Sequence, residues 1–128
     1  MIKITMNEIL SVVPVLQELS NKQFKGATTF KIARLIRELD KEMALFNEAR
    51  QKLGDKYGQR DENGELIISE EGIIKLQEDK IQDCNEELVT LLETEIEINA
   101  DKIKVDAFDD IDISPAQVMI LESLVDYE

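Results

Sequence analysis

Apolar positions along this chain change their period several times, and each change marks an element. Ile2–Thr5 reads as a short strand. Asn7 can cap the helix that follows, with Glu8 in its first turn. Ile9, Leu10, Val12, Val13, Leu16 and Leu19 then keep helical spacing. Pro14 lies inside this stretch and lacks a backbone donor, so the pattern predicts a kink or break there. Residues 20–26 read as a connection. A second helix starts with Thr28 or Thr29 as its cap. Ile32, Ile36, Leu39, Met43, Phe46 and Leu53 step by fours and threes, with Arg50 as the polar member of the series. That is a heptad-like seam, with Gly54 and Gly58 positioned to end it.

The middle of the chain changes character. Asp61-Glu62-Asn63-Gly64 is a turn signal, and Leu66-Ile67-Ile68 supplies a short strand after it. Residues 58–72 therefore read as an exposed hairpin or arm. A third helix is expected over about residues 71–92, with Ile74, Ile81, Cys84, Leu88 and Leu91 on one face and Gln77 filling the gap. The period then drops to two. Ile96 and Ile98 alternate with glutamates, and Ile103 and Val105 with lysines, around Asn99-Ala100-Asp101. This predicts a half-buried β-hairpin, to which Ile111 and Ile113 can add a strand. Ser114-Pro115-Ala116-Gln117 is a helix start: Ser as cap, Pro at the first position, Gln three residues on. Val118, Leu121 and Leu124 or Val125 face inward from that last helix. No internal repeat or low-complexity tract is evident.

These elements predict an α+β fold. It comprises an antiparallel helical hairpin, a shorter N-terminal helix and a small C-terminal antiparallel β-sheet. The 128 residues read as a single domain, helical over about 7–93 with the arm at 58–72, then β with a terminal helix over 94–128.

Charge sharpens this picture. Residues 1–58 carry a net +3 and residues 59–128 a net −16, giving the total of −13. Basic Lys31, Arg34, Arg37 and Lys41 on the second helix are expected to face acidic Glu78, Asp79, Asp83, Glu86, Glu87 and Glu93 on the third. Exposed pairs of this kind contribute only about 0–1 kcal/mol each. Histidine is absent, which removes the commonest general base and metal ligand together. One cysteine gives neither a thiolate zinc site nor an intramolecular disulfide. With no Trp and six aromatic residues, a stacking platform for nucleic acid is poorly supplied. Net negative charge opposes direct binding of DNA or RNA. The longest apolar runs are far too short to span a membrane, and the N-terminus lacks a basic-then-apolar leader. A cytoplasmic protein without cofactor is the expectation.

Three patterns are candidates for chemistry or recognition. Residues 59–70 resemble a twelve-residue EF-hand loop, with Asp61, Asn63, Glu65 and Glu70 as cation ligands. Gln59 stands where the first ligand should be, no second loop exists to pair with it, and a simple Asn-Gly turn is the preferred reading. Asp106, Asp109, Asp110 and Asp112 form an acidic run. It can serve as a solvated docking face, or imitate phosphate charge toward a basic groove. A metal-assisted carboxylate hydrolase is the weakest alternative for it. The basic stretch Lys22, Lys25, Lys31, Arg34, Arg37 and Lys41 is expected to pair with the acidic third helix. Tyr57 and Arg60 complete the candidate contact residues.

Residues 46–53 (FNEARQKL), Lys56-Tyr57-Gly58, Asp61-Glu62-Asn63-Gly64, a glutamate-rich helix and Ser114-Pro115 together resemble a family of small phage and prophage proteins of Gram-positive bacteria, catalogued as a domain of unknown function. The resemblance spans most of the chain and transfers no catalytic residue. It implies a viral origin, with action in the host cytoplasm during infection or in the virion. The expected function is non-enzymatic protein–protein interaction, as a structural or assembly accessory related to tails. The alternative is an acidic inhibitor or nucleic-acid mimic that blocks a host or anti-phage protein. The partner is another protein, phage or host, and the helical seams can also form a homodimer.

Overall fold

A computed structural model describes residues 1–127. The chain divides into two compact units: Met1–Met43 with the segment from Thr94 onward, and Ala44–Glu93.

The first unit is built on buried aliphatics. Strand β1 (Ile2–Thr5) pairs antiparallel with β2 (Glu95–Ile98), in the register Ile2↔Ile98 and Ile4↔Ile96. Alternation puts Ile2, Ile4 and Ile98 in the core. Helix α1 (Met6–Leu19) follows directly. Its cap is Thr5 rather than Asn7: the Glu8 amide donates to Thr5 Oγ1 at 3.2 Å, and the Thr5 amide donates to the Glu8 carboxylate. This capping box satisfies two otherwise orphaned donors. The helix runs on through Pro14 without a break. Pro14 is exposed, while its neighbours Val13, Val15 and Leu16 are buried. Apolar burial, at roughly 1.5–3 kcal/mol per side chain, outweighs one missing hydrogen bond.

Helix α2 (Gly26–Tyr57) gives its first half to this unit and its second half to the other. Its start lies earlier than the threonines suggest. The Thr29 hydroxyl donates back to the carbonyls of Phe24 and Lys25, so it caps nothing. Strand β3 (Ile103–Lys104) pairs in parallel with β4 (Val125–Asp126). Between them, helix α4 (Pro115–Leu121) starts as its sequence predicts, on a Ser114–Gln117 capping box with Pro at the first position. It packs on α1 and buries Leu121.

The second unit joins the end of α2 to a further helix through an arm held by one ring of backbone hydrogen bonds. Residues 57–77 form three short extended segments, bridged at Gly58–Leu76, Arg60–Leu66 and Ile68–Ile74. The Ile67 amide donates to the Gln59 carbonyl, Lys75 to Ile67, and Gln59 to Lys75, at 2.9, 2.9 and 2.7 Å. The cycle closes on itself, and its members are spaced by eight residues. The surrounding bonds repeat at the same spacing: Asp61 to Glu65, Ser69 to Ile73, and Gln77 back to Tyr57. So do the turn bonds Gly64 to Asp61, Gly72 to Ser69 and Lys80 to Gln77. The arm is therefore a pseudo-threefold triangle of octads, beginning at Tyr57, Glu65 and Ile73. A repeat was not evident in the sequence because few side chains recur; only Glu62, Glu70 and Glu78 are common to all three octads. Helix α3 (Ile81–Glu93) follows, after a 3-10 turn at Glu78–Lys80.

The expected fold class needs correction. The described residues form four α-helices, with α1 and α2 in the N-terminal part and α3 and α4 in the C-terminal part, and two separate two-stranded sheets. It is not a helical hairpin beside one C-terminal antiparallel sheet. The α2 seam divides instead of meeting one mate. Ile32, Leu35 and Leu39 bury in the first unit, Phe46 and Tyr57 in the second, and α3 buries only Cys84. The third helix is also shorter than expected, because residues 71–77 belong to the triangle. The 96–105 hairpin does not form either. Strand β2 takes the N-terminal strand as partner, and β3 takes a strand from the far end of the described chain. Ile111 and Ile113 lie in no strand. Alternation reports which face is buried and carries no information on the partner strand.

Candidate interaction surfaces

Two glycines let the triangle sit close on the last turn of α2. Gly54 does not end the helix, which continues to Tyr57. A Cβ at Gly54 would lie 2.6 Å from Ile74 Cδ1, and one at Gly58 would lie 2.5 Å from Leu66 Cδ2. The glycines are there to admit these two side chains.

This packing settles the roles of several candidate residues. Tyr57 is buried, with the Lys56 ammonium 4.9 Å from its ring centroid. It therefore packs at the helix exit and is no exposed contact. The Tyr57 hydroxyl and the Glu87 carboxylate, which lies 3.2 Å away, hold the Lys56 ammonium above its ordinary pKa. Arg60, though exposed, ties the arm to the end of α2, donating to the Gly64 carbonyl at 2.8 Å and to the Asp55 carbonyl at 3.3 Å. The Asp61 carboxylate accepts from the Asn63 and Glu65 amides at 2.9 and 3.1 Å. It thus closes its own turn, as an Asx turn does. Glu70 belongs to the second turn, after Ser69, whose Oγ accepts from Ile73 in the same way. Asp61, Asn63, Glu65 and Glu70 do not converge. Among the described residues, no group of three or more Asp, Glu, Cys or His could hold a metal ion. The calcium-loop resemblance of residues 59–70 comes from turn chemistry.

The acidic run is not a uniformly negative face. Asp106, Asp109 and Asp110 line an open cleft of about 580 Å³ in the first unit, together with Lys25, Lys31 and Lys104. Phe24 and Phe108 meet nearby edge to face, with centroids 6.0 Å apart. Asp112 contributes its backbone carbonyl, which accepts from Lys22 Nζ at 2.7 Å. Asp106, Asp109, Asp110 and Asp112 are all exposed. Charges of both signs along one cleft oppose its use as a phosphate mimic.

The expected pairing of basic α2 with acidic α3 is absent among the described residues. Arg34 donates through Nε to the Asn99 carbonyl, and Lys41 pairs with Glu38 on its own helix. Among the described residues, the one ion pair joining α2 to α3 is Lys56–Glu87, in which Glu87 belongs to the expected acidic set and Lys56 lies outside the expected basic one. Residues 20–37, with five basic and no acidic side chains, thus present Lys25, Lys31, Arg34 and Arg37 to solvent.

Exposed apolar side chains form the surface that sequence reasoning missed. In the second unit, Leu45, Ile68, Ile73, Ile81 and Val89 are exposed, while the buried apolar side chains are Phe46, Tyr57 and Cys84. In the first, Phe30 is 79% exposed. The signal was available, since Phe30 and Leu45 fall off the seam and Ile73 directly follows a turn glycine.

No family model, curated protein or solved structure matches the chain. Among the described residues, no helix is long and apolar enough to cross a membrane.

Proposed function

We propose that this protein is a non-enzymatic protein–protein interaction module serving as a structural or assembly accessory, in the phage setting that the resemblance of its middle segment implies. The observation that carries the reading is the second unit. It leaves Leu45, Ile68, Ile73, Ile81 and Val89 exposed, two of them on an arm whose backbone is closed by its own hydrogen bonds. Apolar side chains left in water on a rigid frame are stabilised when a partner covers them. The net charge of −7 over Ala44–Glu93 then selects a partner surface with basic residues.

The test is affinity purification of the tagged chain from phage-bearing cells, beside the Ile68→Ser/Ile73→Ser chain. The expected result is a defined set of co-purifying proteins that the double variant loses. Identical recoveries from the two chains would refute the reading.

A further inference from the structure

The exposed apolar side chains stand in surroundings of opposite sign. On the arm, Ile68 and Ile73 are 56% and 62% exposed, on either side of the Ser69–Gly72 turn. Two hydrogen bonds fix that turn, Gly72 to Ser69 and Ser69 to Ile73, both at 2.9 Å. Glu70 and Glu71 at its tip are exposed and make no ion pair among the described residues. On α2, Phe30 is followed by Arg34 and Arg37 at four and seven residues, which is one stripe of a helix. Arg37 makes no ion pair among the described residues, and Arg34 engages the Asn99 carbonyl through Nε alone.

We propose that the occupant of each patch is a second copy of this chain: the Ile68–Ile73 turn of one copy docks on the Phe30–Arg34–Arg37 stripe of another. The proposal rests on the interaction reading above and names its partner. Charge decides the pairing. Turn against turn would place four glutamates together, and stripe against stripe four arginines. Turn against stripe covers two isoleucines with a phenylalanine and sets two carboxylates beside two guanidinium groups, which suit carboxylates in bidentate geometry. Such a contact is heterologous, so an open assembly of any length retains one unused turn at one end and one unused stripe at the other until a ring closes.

Sedimentation equilibrium of the whole chain at low salt tests this. The wild-type mass should rise with concentration past two copies, and about 0.5 M NaCl should weaken association by about tenfold or more. Phe30→Ser and Ile68→Ser/Ile73→Ser change exposed positions, so both chains should keep the wild-type circular dichroism while each alone loses association. Mixed together, they retain one intact contact between them and should form a one-to-one pair that grows no further. A wild-type chain that stays single at about 1 mM would overturn the proposal. So would a mixture that does not pair, or variants that associate as the wild type does. A single wild-type chain that still captures other proteins through Ile68 and Ile73 would leave the interaction reading intact and remove only the second copy.

Discussion

Replacing Gly58 by alanine should open the triangle, whereas the same change at Gly54 should be nearly neutral. At Gly58 the new methyl meets three neighbours: the Gly54 backbone carbonyl, Leu66 Cδ2 at 2.5 Å and Ile74 Cγ2 at 3.0 Å. The carbonyl is fixed, because it accepts the Gly58 amide at 2.7 Å. The Leu66 terminus can swing away, but the carbonyl cannot yield cheaply, and overpacking of this kind costs about 1–3 kcal/mol. At Gly54 the sole close neighbour is Ile74 Cδ1 at 2.6 Å, the far end of a flexible side chain. Alanine there also gains about 0.5–1 kcal/mol of helix propensity, which offsets the clash. Amide hydrogen exchange at Gln59, Ile67 and Lys75 reads the ring directly. A loss of about 2 kcal/mol in Gly58→Ala corresponds to exchange about thirtyfold faster, against less than about fivefold either way in Gly54→Ala. Ile74→Val removes Cδ1 and keeps Cγ2. It should therefore relieve Gly54→Ala and leave Gly58→Ala unrelieved, a coupling that a double-mutant cycle isolates. Equal exchange in the two glycine variants would refute the packing argument, and so would rescue of Gly58→Ala by Ile74→Val.

Gly64 and Gly72 both hold φ of +80° with open space around their α-carbons, so alanine at either should cost about 1–2 kcal/mol from backbone strain alone, read by the same ring amides. In the first unit, Ser123 Oγ donates to the Glu8 carboxylate at 2.6 Å, and with Thr5 it holds the Glu8 pKa below the ordinary 4.5. A lowered acid stabilises the folded state above its unfolded pKa, and that contribution fades as pH falls through the folded value. Thermal melts should show it present at about pH 6 and fading as pH falls below 4.5, and Ser123→Ala should flatten this part of the profile. Burial, with the Glu87 charge beside it, raises the Cys84 thiol. Maleimide labelling near pH 7 should therefore be slow, should rise to the rate of an ordinary exposed cysteine only in denaturant, and should accelerate in Gly58→Ala. Thr5→Ala should cost about 1 kcal/mol by removing the α1 cap, measured in urea titrations.

Local signals were legible where one short segment contained the whole cause. The Ser114–Gln117 cap, the Asn63-Gly64 turn and the strand at Ile2–Thr5 follow from chemistry within four residues. Partner choice was not legible. The alternation at Ile96 and Ile98 marks a buried face equally well whether it meets Ile103 or Ile2, and the fold takes Ile2 and Ile4. The heptad-like seam misled for a related reason. Leu35, at 0% exposure, replaces Ile36 on the buried side, and the face of α2 serves one core before Met43 and another after it. Of the candidate contact residues, Tyr57 is buried at the helix exit, and Arg60 is exposed while donating to the Gly64 and Asp55 carbonyls. Some of the exposed apolar residues, such as Phe30 and Leu45, lie off the α2 seam, while Ile81 lay on the expected α3 face and is exposed nonetheless.

The triangle's hydrogen bonding bears on how a partner can be recognised. Residues 59, 67 and 75 direct both amide and carbonyl to one another, so the inner edges of all three segments are satisfied. The outer edges run only a few residues before a turn interrupts them, and Glu62, Glu70 and Glu78 flank every turn. Short, charged edges blunt strand addition. An incoming chain therefore finds no extended backbone to pair with, and affinity must come from side chains on a frame that holds its own shape. Such a frame gives up little conformational freedom when Ile68 and Ile73 are covered, which lowers the cost of association.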